Sequence, residues 1–119
     1  MRRKDMYEQR AKVLKALSHP SRLRMVDALS TGEQCVCELQ RIVGADMSTV
    51  SKHLSVMREA GLISSEKRGL QVFYRLRVPC ILRFFECVDA VLGVADADEV
   101  EKTFAPGCCR LPIAQPDTA

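Results

Sequence analysis

The spacing of apolar residues changes once along this chain, at Leu62, and that change limits the folds open to it. Upstream the spacing is helical. Met6, Val13, Leu14 and Leu17 mark a loose first helix over 5–17, stopped at Ser18-His19-Pro20. Pro20 suits the first turn of a second helix and pushes His19 out of the helical region. Leu23, Val26, Ala28 and Leu29 give that helix one apolar stripe to about Ser30, and Gly32 ends it. Cys35 to Val43 reads as a short third helix with Val36, Leu39, Ile42 and Val43 inward and Gly44 closing it. Asp46 is a suitable N-cap for a fourth helix carrying Met47, Val50, Leu54 and Met57, with Gly61 as its left-handed cap. Downstream, Leu62–Lys67 and Leu70–Leu76 read as strands around a tight hairpin at Arg68-Gly69. Pro79 opens a last helix over 79–92, apolar nearly all round. A small domain cannot cover such a helix alone, so a subunit interface is expected there.

Two helices, a short helix, a turn, a fourth helix, a hairpin and a last helix are the order of a winged helix-turn-helix. The expected fold is therefore mainly α with a β-hairpin wing: five helices plus a two-stranded wing. The 119 residues suit one domain, assigned to 1–93, and a flexible cysteine-containing tail over 94–119. Aromatic residues are only 5% and Trp is absent, so the core must be aliphatic. No apolar run approaches the roughly 18 residues of a membrane span. Met1-Arg2-Arg3-Lys4-Asp5 is not followed by the apolar stretch of a secretory signal, so a cytoplasmic protein with reduced thiols is expected.

The net charge of +3 conceals an uneven distribution. Seven basic residues and three acids lie between Arg41 and Arg77, whereas six acids and no base lie between Glu86 and Glu101. The basic excess thus coincides with the fourth helix and the hairpin, as a phosphate-binding surface requires. A merely solvated charged face is the plain alternative, and the hydroxyl-rich fourth helix weighs against it. Ser48, Thr49, Ser51, Lys52 and His53 are short or polar enough to meet base edges and phosphates in a major groove. Arg68 and Gln71, at the wing tip, are placed to meet the backbone or the neighbouring minor groove. His53 has an alternative place, packed beside Leu54 or bonded to backbone.

Three stretches carry a family resemblance. Ala16-Leu17-Ser18-His19-Pro20-Ser21-Arg22-Leu23 resembles the second-helix signature of the ArsR/SmtB family of metal-responsive repressors. Ser48-Thr49-Val50-Ser51-Lys52-His53-Leu54 is similar to that family's recognition helix, and Leu62-Ile63 through Gly69 to Tyr74-Arg75-Leu76 resembles its wing. The resemblance covers about residues 10–92. It implies a homodimer, paired through the first and last helices, that represses double-stranded operator DNA until an ion binds. Glu33-Gln34-Cys35-Val36-Cys37-Glu38-Leu39 is similar to the third-helix box of arsenite- and antimonite-responsive members. Relatives responsive to cadmium and lead add cysteines in an N-terminal arm, and residues 1–34 here hold none. The zinc-type site on the last helix has no counterpart, since no His follows His53. Many arsenite-type members carry a third cysteine where this chain has Gln40.

Six cysteines therefore divide into sets. Soft thiolates select thiophilic ions, and arsenite prefers three sulfurs in a pyramid. Cys35 and Cys37 are the expected sensor pair; Cys108 or Cys109 is expected to supply the third thiolate, against an accessory thiol site or an uninvolved tail. Cys80 and Cys87 share one face of the last helix and suit packing. On an ideal helix, residues i and i+2 point about 200° apart. Gripping one ion with Cys35 and Cys37 is therefore expected to unwind or tilt the third helix.

Other functions fit less well. A redox- or persulfide-sensing repressor of the same fold, or one sensing cadmium or lead, is the alternative within the class. A thiol enzyme such as an arsenate reductase would need a Cys-x-x-Cys or a phosphate-cradling loop after a strand, and neither is present. A metal-delivery protein would have no use for the recognition helix and wing.

Overall fold

Pro20, Gly44 and Gly61 set the helix boundaries on which the architecture rests. A computed structural model describes residues 3–94, in the order α1 (Arg3–Leu17), α2 (Pro20–Ser30), β1 (Gln34–Cys35), α3 (Val36–Val43), α4 (Met47–Glu59), β2 (Ile63–Arg68), β3 (Gln71–Leu76) and α5 (Ile81–Leu92). Pro20 stands at the start of α2, and His19 caps it with an extended backbone, its Nδ1 accepting the Ser21 N–H at 3.1 Å. Gly44 ends α3 in the left-handed region at φ 73°, its N–H donating to the Gln40 carbonyl. Gly61, at φ 83°, closes α4 in a Schellman arrangement: Gly61 N–H donates to the Arg58 carbonyl and Leu62 N–H to that of Met57.

α3 packs on α2 and α4, and α4 packs on α1, α2 and β2. Their shared core holds Met25, Val26, Leu29, Leu39, Val50, Leu54, Met57, Leu62 and Ile63, without a buried aromatic, as the composition requires. β2 and β3 form the antiparallel wing with Ile63 opposite Leu76 and Arg68 opposite Gln71. That register places the two-residue turn at Gly69-Leu70, one residue beyond the expected hairpin. Gly69 alone has positive φ (63°), as a type II′ turn needs at its first central position.

The other departures concern starts. The third helix begins at Val36, because Cys35 lies with Gln34 in a third strand, giving the sheet order β1-β3-β2. The last helix begins at Ile81, after Cys80 as its N-cap. Contacts divide the chain into two units, one ending at Pro79 and one beginning at Cys80. α5 buries none of its residues within this chain, and Phe84, Val88, Val91 and Leu92 are all exposed. In α1 only Ala16 and Leu17 are buried, while Met6, Tyr7 and Leu14 are exposed. The tail expected from residue 94 lies, beyond Val94, outside the described residues. No described helix is long and apolar enough to cross a membrane.

Leu39 is fully buried, and α3 packs against α2, α4 and β3. Leu39→Ala is expected to destabilise the protein by about 2–5 kcal/mol, read by urea unfolding at fixed protein concentration.

Candidate nucleic-acid interface and thiol site

The inner face of α4 is drawn by Val50, His53, Leu54 and Met57, all buried. That spacing leaves Ser48, Ser51, Lys52, Ser55 and Arg58 exposed on the opposite side, with Thr49 half-buried at its edge. Asp46 caps the helix with an extended backbone, and its carboxylate accepts the hydroxyls of Ser48 and Thr49, each at 2.5 Å. These two donations hold the Asp46 carboxyl below the usual carboxylate range. They also engage both hydroxyls as donors at the start of the helix.

His53 departs from its expected place on this polar face. It is 8% exposed and turned inward, its Nδ1 accepting Arg22 Nε–H at 3.0 Å and its ring 4.4 Å from that of His19. Burial first, then the neighbouring His19 and Arg22, push its pKa below the ordinary histidine value. Position 53 sits three residues after Val50 and four before Met57, on the apolar stripe. That spacing was the sequence signal for an inward histidine. Arg22, which reaches it from α2, lay unassigned within the Ala16–Leu23 motif.

Beyond Ile63 and Ser64, β2 is exposed, so the wing tip stands in solvent. Arg68 and Gln71 are both exposed there. Arg68 is already engaged: it forks onto both carboxylate oxygens of Glu33 (2.5 and 2.9 Å), pairs with Glu66 at 2.8 Å and lies over the Phe73 ring. A phosphate at the wing tip would have to displace carboxylates from Arg68.

Glu33 immediately precedes β1, which joins the thiol box to the wing. Gln34 pairs with Tyr74 and Cys35 with Phe73 of β3. Gln34 also donates through Nε2 to the Ala28 carbonyl of α2 at 3.4 Å. Cys35 is the N-cap of α3, at φ −77° and ψ 159°, and is half-buried; Cys37, in the first turn, is exposed. The pair therefore straddles a strand-to-helix junction. The opposed directions are expected for a continuous helix, and Cys35 stands at the N-cap, before the first helical residue Val36. Cys108 and Cys109 lie outside the described residues. Among the described residues no group of three or more Cys, His, Asp or Glu side chains gathers to hold a metal. Cys80 and Cys87 are half-buried.

A helix-turn-helix with its polar face outward, followed by a projecting wing, defines a DNA-binding regulator rather than an enzyme. Residues 19–65 match the family described as "Bacterial regulatory protein, arsR family". The chain is 42% identical over 79 residues to the biofilm growth-associated repressor of Xylella fastidiosa, covering 64% of this chain and 69% of that protein. It is 37% identical over 103 residues to the arsenic resistance transcriptional regulator ArsR1 of Pseudomonas putida, covering 83% and 74% respectively. Among solved structures, a homodimeric winged helix-turn-helix DNA-binding domain from Mycobacterium bovis superposes with a TM-score of 0.68 at 27% identity, covering 88% of this chain and 94% of that one. The chain belongs to the ArsR/SmtB family and is a transcriptional repressor of that family.

Lys52 stands exposed on the outer face of α4. Lys52→Ala is expected to weaken binding to all duplex sequences alike and to reduce the slope of log affinity against log salt by about one. Fluorescence anisotropy across a salt series checks this.

Proposed function

We propose that this repressor works as a homodimer paired through α1 and α5, and that it leaves its operator when arsenite binds. Antimonite is the second effector of the same site. Cys35 and Cys37 supply two thiolates, and Cys108 or Cys109 supplies the third. Ser48, Thr49, Ser51 and Lys52 enter the major groove, and Arg68 and Gln71 meet the DNA from the wing. His53 supports α4 from behind. The exposed apolar side chains of α1 and α5 support the pairing, as does the homodimeric state of the M. bovis domain.

The observation that carries the reading is the double position of Cys35, which pairs with Phe73 in the wing and caps α3 of the helix-turn-helix. The donor chemistry fits a thiophilic trivalent ion: two soft sulfurs lie two residues apart, with the exposed Cys37 open to a third from elsewhere. Drawing Cys35 and Cys37 onto one centre pulls on the β1 edge and on the first turn of α3 together. Glu33, two residues before Cys35, carries that displacement to Arg68 at the wing tip. The ion has to favour the released state by about 1–3 kcal/mol, an ordinary coupling energy between two sites. The P. putida relative's name supports arsenic as the effector.

A second reading, oxidation of the same cysteines, is favoured by one observation. Cys35 and Cys37 lie two residues apart, Cys37 exposed and Cys35 half-buried, so the box offers two thiols to an added oxidant without a third. Anisotropy of a duplex enriched from random sequence on the purified protein separates the readings, with arsenite, antimonite, cadmium, lead or peroxide added in turn. Arsenite and antimonite are expected to release the duplex. Cys35→Ser and Cys37→Ser are expected to bind it normally and not be released, whereas Cys80→Ser responds like the parent. A full arsenite response in Cys35→Ser overturns the proposal, and release by peroxide alone establishes the second reading.

A further inference from the structure

The aim of α4 depends on its inner face, and most of that face is non-directional. Val50, Leu54 and Met57 are buried there, and burial of apolar surface carries no direction of its own. The Arg22–His53 hydrogen bond is directional, and it joins more than two elements. While Arg22 Nε–H donates to His53 Nδ1 on α4, its Nη1 approaches the carbonyls of Lys15 and Ala16 at 3.5 and 3.4 Å in the last turn of α1. Those carbonyls lie in the last turn of α1, where that of Lys15 also accepts the Ser18 N–H. His19 completes the cluster, capping α2 through Nδ1 and packing its ring on that of His53. One guanidinium and two imidazoles thus tie α1 and α2 to the recognition helix.

We propose that Arg22, His53 and His19 are positioning residues for operator binding, and that a proton on His53 Nδ1 breaks the clamp and lowers operator affinity. His53 uses Nδ1 as an acceptor toward a guanidinium donor, so this imidazole carries its proton on Nε2. A proton on His53 Nδ1 turns the acceptor toward a guanidinium donor, replacing a hydrogen bond by repulsion. The charged groups bearing on His53 among the described residues are His19, ahead of α2, and Arg22, on α2; through Arg22, α1 offers backbone carbonyls. Both neighbours and the burial disfavour the protonated form. The folded protein therefore binds fewer protons here than the unfolded chain, and this contribution to stability declines as pH falls below about 6.5.

The sign of the effect separates this clamp from ordinary electrostatics. Adding positive charge to a DNA-binding protein strengthens phosphate contacts, whereas the clamp predicts weaker binding on acidification. Anisotropy at fixed ionic strength from about pH 7.5 to about pH 5.5, on the enriched duplex and on an unrelated one, tests it, with circular dichroism following folding in the same samples. The parent protein is expected to remain folded and to lose affinity for the enriched duplex by up to several-fold, because a His53 pKa held below the ordinary value keeps the loss at about pH 5.5 under about tenfold, with little loss on the unrelated duplex. His53→Asn keeps an acceptor near the Nδ1 position and cannot titrate, so its affinity is expected to stay flat. Flat or tighter binding by the parent at low pH, or the same loss in His53→Asn, overturns the proposal. Should His53→Asn fail to fold, nitrogen NMR of the parent decides. An unprotonated Nδ1 on His53 that titrates in step with the affinity supports the clamp, and a protonated Nδ1 at neutral pH overturns it.

Discussion

The two-residue pairing of β1 with β3 is the constraint on which the arrangement of the sites depends. Without it, Cys35 would be free to join the helix that follows, and the wing would have two strands in place of three. With it, Glu33, Gln34 and Cys35 are held at the edge of the wing while Val36 onward forms the first helix of the helix-turn-helix. The connection is weak by design of length: two pairs of residues, one exposed guanidinium fork and one side-chain bond to Ala28. Exposed ion pairs contribute little in water. A link this soft can be shifted by a modest coupling energy, of the order the proposed effector would supply.

The reading surface depends on a different kind of support. α4 rests on a core of aliphatic and Met side chains, whose apolar contacts carry no direction of their own. Specification comes from its two ends and from one buried contact. Asp46 fixes the hydroxyls at the N-terminus, the Schellman turn at Gly61 fixes where the chain leaves for β2, and His53 fixes the middle through Arg22. Polar devices of this sort cost stability relative to an apolar residue of the same shape, and what they contribute is a unique geometry.

Much of this was legible in the sequence because it is local. Pro20, Gly44 and Gly61 act within a few residues of themselves, and the helices they bound lie where the apolar spacing put them. The family motifs likewise placed the recognition helix and wing. What was not legible depends on partners distant along the chain. A strand of two residues has no periodicity to detect, and Gln34-Cys35 exists only because Tyr74 and Phe73 lie alongside. The Arg22–His53 bond spans 31 positions and the Glu33–Arg68 fork 35. His53 was half legible: its place on the stripe between Val50 and Met57 signals burial, while its polar ring suggests the surface. The hairpin turn moved by one residue because Gly69, not Arg68, can adopt the positive φ at the first turn position.

The exposed faces of α1 and α5 give these local devices their consequence. Val91 is 87% exposed and Leu92 69%, on a helix with no buried residue, and α1 leaves Tyr7 58% exposed. In the proposed homodimer a second copy covers these side chains, through a two-fold axis. Two reading heads related by that axis must match two half-sites at a fixed separation. Small changes in the tilt of α4 or the wing are then counted twice. On the proposed reading, neither the thiol box nor the His53 clamp has to disrupt the fold in order to release the duplex. Each needs only to spoil the match between the paired recognition helices and the spacing of the duplex.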